Sequence, residues 1–139
     1  MNKQIKSKKR VRERGEVFTN PREVKAMCDL IPADVWKNID STFLEPTCGN
    51  GNFVIEILER KLNLCHKKQE IYRALKSIYA IDIMSDNIAE TKQRIKNLIC
   101  EKFGRDFISW CNVNRILNKN IVCDDSLEIM KEWGKGENK

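Results

Sequence analysis

The sequence predicts an α/β protein built on a doubly wound parallel sheet, truncated to about its first three strands. Three observations carry that expectation. Short apolar runs ending in an acidic or glycine-rich turn occur three times, and stretches with helical periodicity separate them. The second run, Ile78-Tyr79-Ala80-Ile81-Asp82, is apolar at nearly every position, as a parallel strand covered on both faces must be. With 139 residues there is room for one domain.

The first helix is announced by Asn20-Pro21-Arg22-Glu23. Asn is a favoured N-cap, Pro suits the first helical position, and Glu three residues after the cap can bond back to it. Val24, Met27, Cys28 and Ile31 continue one apolar stripe, which Pro32 ends. A polar connection leads to a strand over Ser41–Glu45 and the turn Pro46-Thr47-Cys48-Gly49-Asn50-Gly51-Asn52. A helix is expected over Phe53–Leu64 and another over His66–Lys76. After the strand Ile78–Asp82, Ser85 is placed to cap a long helix reaching Phe103, with Ile88, Ile95, Leu98 and Ile99 inward. Gly104-Arg105-Asp106 breaks it. A further helix over Phe107–Leu117 and a third strand over Asn120–Asp125 complete the pattern, and the chain turns polar from Trp133. Strand–helix alternation of this kind implies right-handed parallel crossovers.

The net charge of +6 is localised. Residues 1–14 hold seven Lys or Arg against Glu13, whereas the other 125 residues balance 19 basic against 19 acidic side chains. The expected division is therefore a basic arm at 1–14, a domain at 15–132 and a polar tail at 133–139. The arm reads either as a solvated terminus or as an element that neutralises phosphates. Its lack of an apolar core argues against a secretory leader, and no run reaches the roughly 18 residues of a membrane span. A cytoplasmic protein with no membrane partner is expected. The six cysteines are never closer than 11 residues and there is one histidine, which gives no zinc-ligand spacing and points to no metal. Reduced thiols, mostly filling the core, are expected. Trp36, Trp110 and Trp133 are candidates for stacking on bases, although Trp110 follows Phe107 and Ile108 as a packing residue would.

Ligands of doubly wound sheets sit outside the carboxyl ends of the strands. Three polar signatures fall there: Glu45 with the turn through Gly49 and Gly51, Asp82, and Asp124-Asp125. Asp82 suits the two hydroxyls of a ribose, and an aspartate of the last pair suits an amino group such as adenine N6. A dinucleotide fingerprint is not met, because Val54 stands where the third glycine belongs and Asp82 lies 33 residues after Gly49. There is no phosphate-binding G-x-x-x-x-G-K-[ST] and no Lys or Arg between Phe43 and Glu59. A nucleoside cofactor carrying a cationic amino acid, S-adenosylmethionine (SAM), fits better than one carrying a pyrophosphate.

The segment Phe43-Leu44-Glu45-Pro46-Thr47-Cys48-Gly49-Asn50-Gly51-Asn52-Phe53 resembles the D/E-P-A-C-G-x-G-x-F motif of SAM-dependent DNA adenine-N6 methyltransferases of bacterial restriction–modification systems. Gly15-Glu16-Val17-Phe18-Thr19 is similar to their amino-terminal G-E-x-F-T-P segment, Ile81-Asp82-Ile83 to their second-strand acidic motif, and Asp124-Asp125-Ser126-Leu127 to their G-D-x-L motif. The resemblance implies a Rossmann-like methyltransferase fold and a set of roles. Phe18 and Thr19 would close over the cofactor; Glu45, Pro46, Cys48, Gly49 and Gly51 would form its methionyl and ribose site. Asp82 would bind the ribose, Ile83 would pack on adenine, and Asp125 would face the adenine amino group.

The sequence departs from the pattern at three places. Asn20 separates Thr19 from Pro21, Asp124 replaces the usual Gly, and the (Asn/Asp/Ser)-Pro-Pro-(Tyr/Phe/Trp) loop that holds the flipped base does not occur among the three prolines. No catalytic residue is therefore assigned. The expected function is the SAM-binding part of a DNA adenine-N6 methyltransferase that needs a partner for catalysis and reaches DNA directly or through that partner. The alternatives are an inactive relic or regulatory module, and a methyltransferase for RNA, protein or a small molecule. In the family a fourth strand covers the first, so self-association through an exposed sheet edge is expected.

Overall fold

The computed structural model describes residues 4–137, with the side chains of 130 and 133–137 outside that description. The elements run α1 (Lys8–Arg14), α2 (Pro21–Asp29), α3 (Ala33–Lys37), β1 (Phe43–Glu45), α4 (Asn52–Leu62), α5 (Lys68–Lys76), β2 (Ile78–Asp82), α6 (Ser85–Phe103), α7 (Trp110–Asn120), β3 (Ile121–Cys123) and α8 (Ser126–Glu137). The three strands form one parallel sheet in the order β1-β2-β3. Phe43 pairs with Ile78 and Glu45 with Ala80, while Ala80 pairs with Ile121 and Asp82 with Cys123. This register brings the carboxyl ends of all three strands to one side.

β2 is the central strand, and Ile78, Ala80 and Ile81 are buried in it, which explains its continuous apolar run. Helix α4 packs on α2 and α6, α5 packs on α7, and all four of α4 to α7 touch β2. Val54, Leu58, Ile71, Ala74, Ile99 and Val113 are fully enclosed between them. The expected α/β class and parallel sheet are found.

Local chemistry sets the boundaries. Asn20 Oδ1 accepts from the Arg22 N–H at 2.8 Å, capping α2 as its sequence suggests. That helix stops at Asp29, and Pro32 opens the short α3 instead of closing α2. A five-residue helix carries too little periodicity to be seen in sequence, which predicts only a polar connection over 33–37. The expected start at Phe107 is displaced to Trp110, because Ser109 Oγ accepts from the Asn112 N–H and caps α7 there. Ser85 is the first residue of α6 and not its cap; the preceding Met84 holds that position without a side-chain bond. The third strand is half the expected length, since Asn120 ends α7 and Asp124 leaves the sheet.

The basic arm contains a helix. Ser7 Oγ accepts from the Arg10 N–H and Gly15, at φ 63°, closes α1. Residues 138 and 139 of the expected polar tail lie outside the described residues, while 133–137 continue α8. All six cysteines are free thiols; Cys28, Cys48 and Cys65 are buried, but Cys111 and Cys123 are exposed, so core filling accounts for half of them. Trp36 stacks on Phe43 at 5.1 Å with the Arg60 guanidinium 4.9 Å from its ring, and Trp110 donates its indole N–H to Arg105 O. Both are packing residues. No helix among the described residues is long and apolar enough to cross a membrane.

Candidate functional site

A cleft of about 520 Å³ opens at the carboxyl ends of the three strands, within the range of small-molecule sites. β1 delivers Glu45 to it, the following turn delivers Pro46, Cys48 and Gly49, and β2 delivers Asp82, with Ile83 just beyond its end. Phe18 and Thr19 enter ahead of α2, and Asp124 and Asp125 enter from the end of β3. Nine of the ten residues expected from the sequence therefore line one space. The tenth, Gly51, does not line it.

The turn after β1 is shaped by two left-handed glycines, Gly49 at φ +54° and Gly51 at φ +93°, conformations that side chains with a Cβ resist. Neither has space for one. A Cβ at Gly49 would stand 2.8 Å from the Phe18 ring, and one at Gly51 would stand 2.8 Å from Thr91 Oγ1. Gly49 thus lets Phe18 close over the turn from the cleft side. Gly51 lets α6 approach from behind, which is why it is absent from the lining.

Asp82 organises the turn. Its Oδ2 accepts from the Gly49 N–H at 2.9 Å; its Oδ1 accepts from the Met84 N–H at 2.8 Å and from Asn87 Nδ2 at 3.2 Å. The residue is 9% exposed. Its carboxylate lines the cleft while already accepting three hydrogen bonds from the protein. The same Asn87 Nδ2 also donates to Glu16 Oε2 at 2.8 Å, and Glu16 Oε1 lies 2.7 Å from Arg10 Nε. A polar chain thus leads from the arm through Glu16 and Asn87 to Asp82.

Helix α6 supplies support that the sequence reading missed. Thr91 Oγ1 donates to Asn87 O at 2.8 Å and lies 3.3 Å from Gly49 O. Arg94 Nη1 donates to Asn50 O and Asn52 Oδ1, both at 2.8 Å, and Asn52 Nδ2 donates to Thr19 O at 2.7 Å. The available signal was a polar row, Asn87, Thr91 and Arg94, at i, i+4 and i+7 beside the apolar stripe of the same helix. Such a row on an inward face has to satisfy buried backbone somewhere.

Glu45 is partly buried, and loss of solvent pushes its carboxyl above the ordinary range, against the lowering effect of a bond from the Thr47 backbone. Burial, and then the nearby Asp82 charge, pushes the Cys48 thiol up to about 12. Such a shift favours the thiol over the nucleophilic thiolate, as for a residue that forms the wall. Asp125 Oδ1 accepts from the Leu127 N–H at 2.9 Å and so caps α8, while Asp124 Oδ1 accepts from the Asp125 N–H at 2.7 Å. Ile83 and Leu127, 47% and 70% exposed, bring apolar surface to the same cleft. The lining holds five carboxylates, from Glu16, Glu45, Asp82, Asp124 and Asp125, and one cation, Arg14; Glu16 is already paired with Arg10 from outside the lining, which leaves four carboxylates against Arg14. The cleft favours a cationic ligand with apolar surface and repels a pyrophosphate.

Fold and site are those of an α/β protein with a three-stranded parallel sheet, consistent with a Rossmann-like fold, and an acidic cleft at the strand ends. Over 100 residues, 67% of this chain, the sequence is 33% identical to the type II methyltransferase M.VspI of Vibrio sp. (strain 343). The chain spans about a fifth of that curated relative, 21% of its length. The similarity supports a methyltransferase. No family model matches the chain, and no solved structure does.

Proposed function

We propose that the chain is the SAM-binding portion of a DNA adenine-N6 methyltransferase, with base binding and transfer supplied by a partner or a further segment. One observation carries the reading: the Gly-rich turn, the ribose-type acceptor Asp82 and the paired aspartates converge on one cleft whose charge is negative. A SAM molecule carries a sulfonium and an ammonium that such a cleft attracts, hydroxyls for Asp82, and an adenine for the apolar walls Ile83 and Leu127. Glu45 is the acidic group for the methionyl ammonium. Phe18, lying against Gly49, and Thr19, whose carbonyl is held by Asn52, would close the other side. The DNA specificity rests on the four motifs and on the similarity to a type II methyltransferase.

A second reading, a module that keeps the fold without the cofactor, is favoured by the three bonds that already occupy Asp82. Calorimetric titration with SAM separates the two. Binding by the wild-type chain that Glu45→Gln weakens and Ile83→Asp abolishes supports the cofactor site. Folded protein that gives no heat at millimolar SAM overturns it in favour of the second reading.

A further inference from the structure

Helix α1 has two faces with different fates. On the inner face Arg10 pairs with Glu16 and Asp86, and Lys6, just before the helix, pairs with Asp86 and Glu90. Gln4 O accepts from the Phe18 N–H at 2.6 Å, and Lys6 Nζ lies 5.8 Å from the Phe18 ring centre. The arm is therefore strapped to α6 and to the cleft wall. On the outer face Lys8, Lys9 and Arg12 are exposed and form no ion pair among the described residues. At 100° per residue these three fall within one third of the helix circumference, and Arg14 continues the positive charge to the rim of the cleft.

A cation-rich face held beside a negatively charged cleft is a division of labour: the cleft excludes phosphates and the helix attracts them. The outer face offers no large exposed apolar side chain of its own, so it lacks what a helix lying in a lipid interface inserts. We propose that the outer face of α1, Lys8, Lys9 and Arg12, is a contact surface for the phosphate backbone of duplex DNA, held at the mouth of the cleft by its inner face. The choice of DNA rests on the function proposed above; the charge geometry does not.

The experiment measures binding of the full chain to a 20-base-pair duplex of arbitrary sequence across a salt series. The comparison is with the triple variant Lys8→Gln, Lys9→Gln, Arg12→Gln. A control neutralises Lys37, Lys68 and Lys119, three exposed residues remote from the arm. Each phosphate contact contributes about 0.9 to the slope of log K against log salt, so the arm variant loses about two to three from the slope and the control less than one. No duplex binding by the wild-type chain, an unchanged slope, equal loss in the control, or equal arm-dependent binding to anionic phosphatidylserine vesicles each overturns the proposal. SAM calorimetry on the same samples keeps the two readings apart, because the arm variant retains every residue that lines the cleft, Arg14 included.

Discussion

The Gly49 N–H points at Asp82 Oδ2 from 2.9 Å, joining the glycine turn after the first strand to the carboxylate at the end of the second. Two motifs 33 residues apart in sequence thereby become one rigid structure. The bond explains why both are needed even without ligand: the turn's left-handed conformation exposes an N–H, and the neighbouring strand supplies its acceptor.

Replacing Asp82 removes acceptors from three donors at once. With Asp82→Ala, the Gly49, Met84 and Asn87 groups are left in a nearly closed site. Each unmet donor to a charged acceptor costs about 1–3 kcal/mol, and relaxation and water entry recover part of that. We expect a loss of about 3 kcal/mol in unfolding free energy, measured in urea, and a smaller loss for Asp82→Asn, which keeps one oxygen acceptor. Equal stability of Asp82→Ala and wild type would show that the carboxylate is free for a ligand and does not organise the turn.

Gly51 is predicted to be the least replaceable residue of the turn. Gly51→Ala adds a left-handed strain of about 1–2 kcal/mol and a contact of 2.8 Å with Thr91 Oγ1. Only the contact depends on Thr91. In a double-mutant cycle, Thr91→Ala should recover part of the loss caused by Gly51→Ala, leaving the backbone strain. Strict additivity of the two substitutions would place α6 farther from the turn than these distances do.

Much of this architecture was legible in the sequence, for identifiable reasons. β2 announced itself because burial on both faces leaves no polar position until Asp82. The turn announced itself because only glycine tolerates both the φ angles and the approach of Phe18 and Thr91. Other features depended on tertiary partners and left weaker traces. Arg10 and Lys6 looked like any other arm cations, because their carboxylates Asp86 and Glu90 lie some 76 or more residues away. Lys61 stood in a helix rich in charge, and nothing local marked it as the largest fully buried side chain. The motif position of Gly51 points to the ligand side, whereas the crowding that requires glycine there comes from α6.

Lys61 gives a pH signature. It is 1% exposed, and its ammonium donates to Ile39 O and Ser41 O, both at 2.7 Å, beneath the Phe43 ring. Burial pushes its pKa down from 10.5 to about 8, against the opposing pull of Asp40. The folded state therefore holds fewer protons than the unfolded state between pH 8 and 10.5, and stability should rise with pH across that window. Buried thiols act oppositely above pH 9, since burial pushes Cys65 up to about 11 and only unfolding lets it ionise. The difference between wild type and Lys61→Met carries the lysine together with its smaller coupling to the Cys65 thiol. That difference should shift in favour of wild type by up to about 3 kcal/mol from pH 8 to 10.5, followed by urea unfolding at each pH. A difference that stays flat with pH would mean that the two carbonyls hold the amine charged at its ordinary pKa.

The sheet edge supplies the last prediction. β1 pairs with β2 and with no other strand among the described residues, and Leu44 at its centre is 42% exposed. A three-residue strand is short enough to be tolerated at an edge, but an apolar side chain at its middle favours a covering strand. We propose that the chain self-associates there. Sedimentation at high micromolar concentration should show a dimer that Leu44→Lys shifts to monomer, because a charge on an edge strand opposes pairing, while Leu30→Lys, an equally apolar and more exposed site at the end of α2, leaves the dimer intact. A strictly monomeric wild type would remove the edge as an interface, and equal dissociation by both substitutions would point to diffuse apolar contact. Only selective loss with Leu44→Lys identifies β1, since Leu30 reports the same gain of charge at a place that offers no unpaired strand.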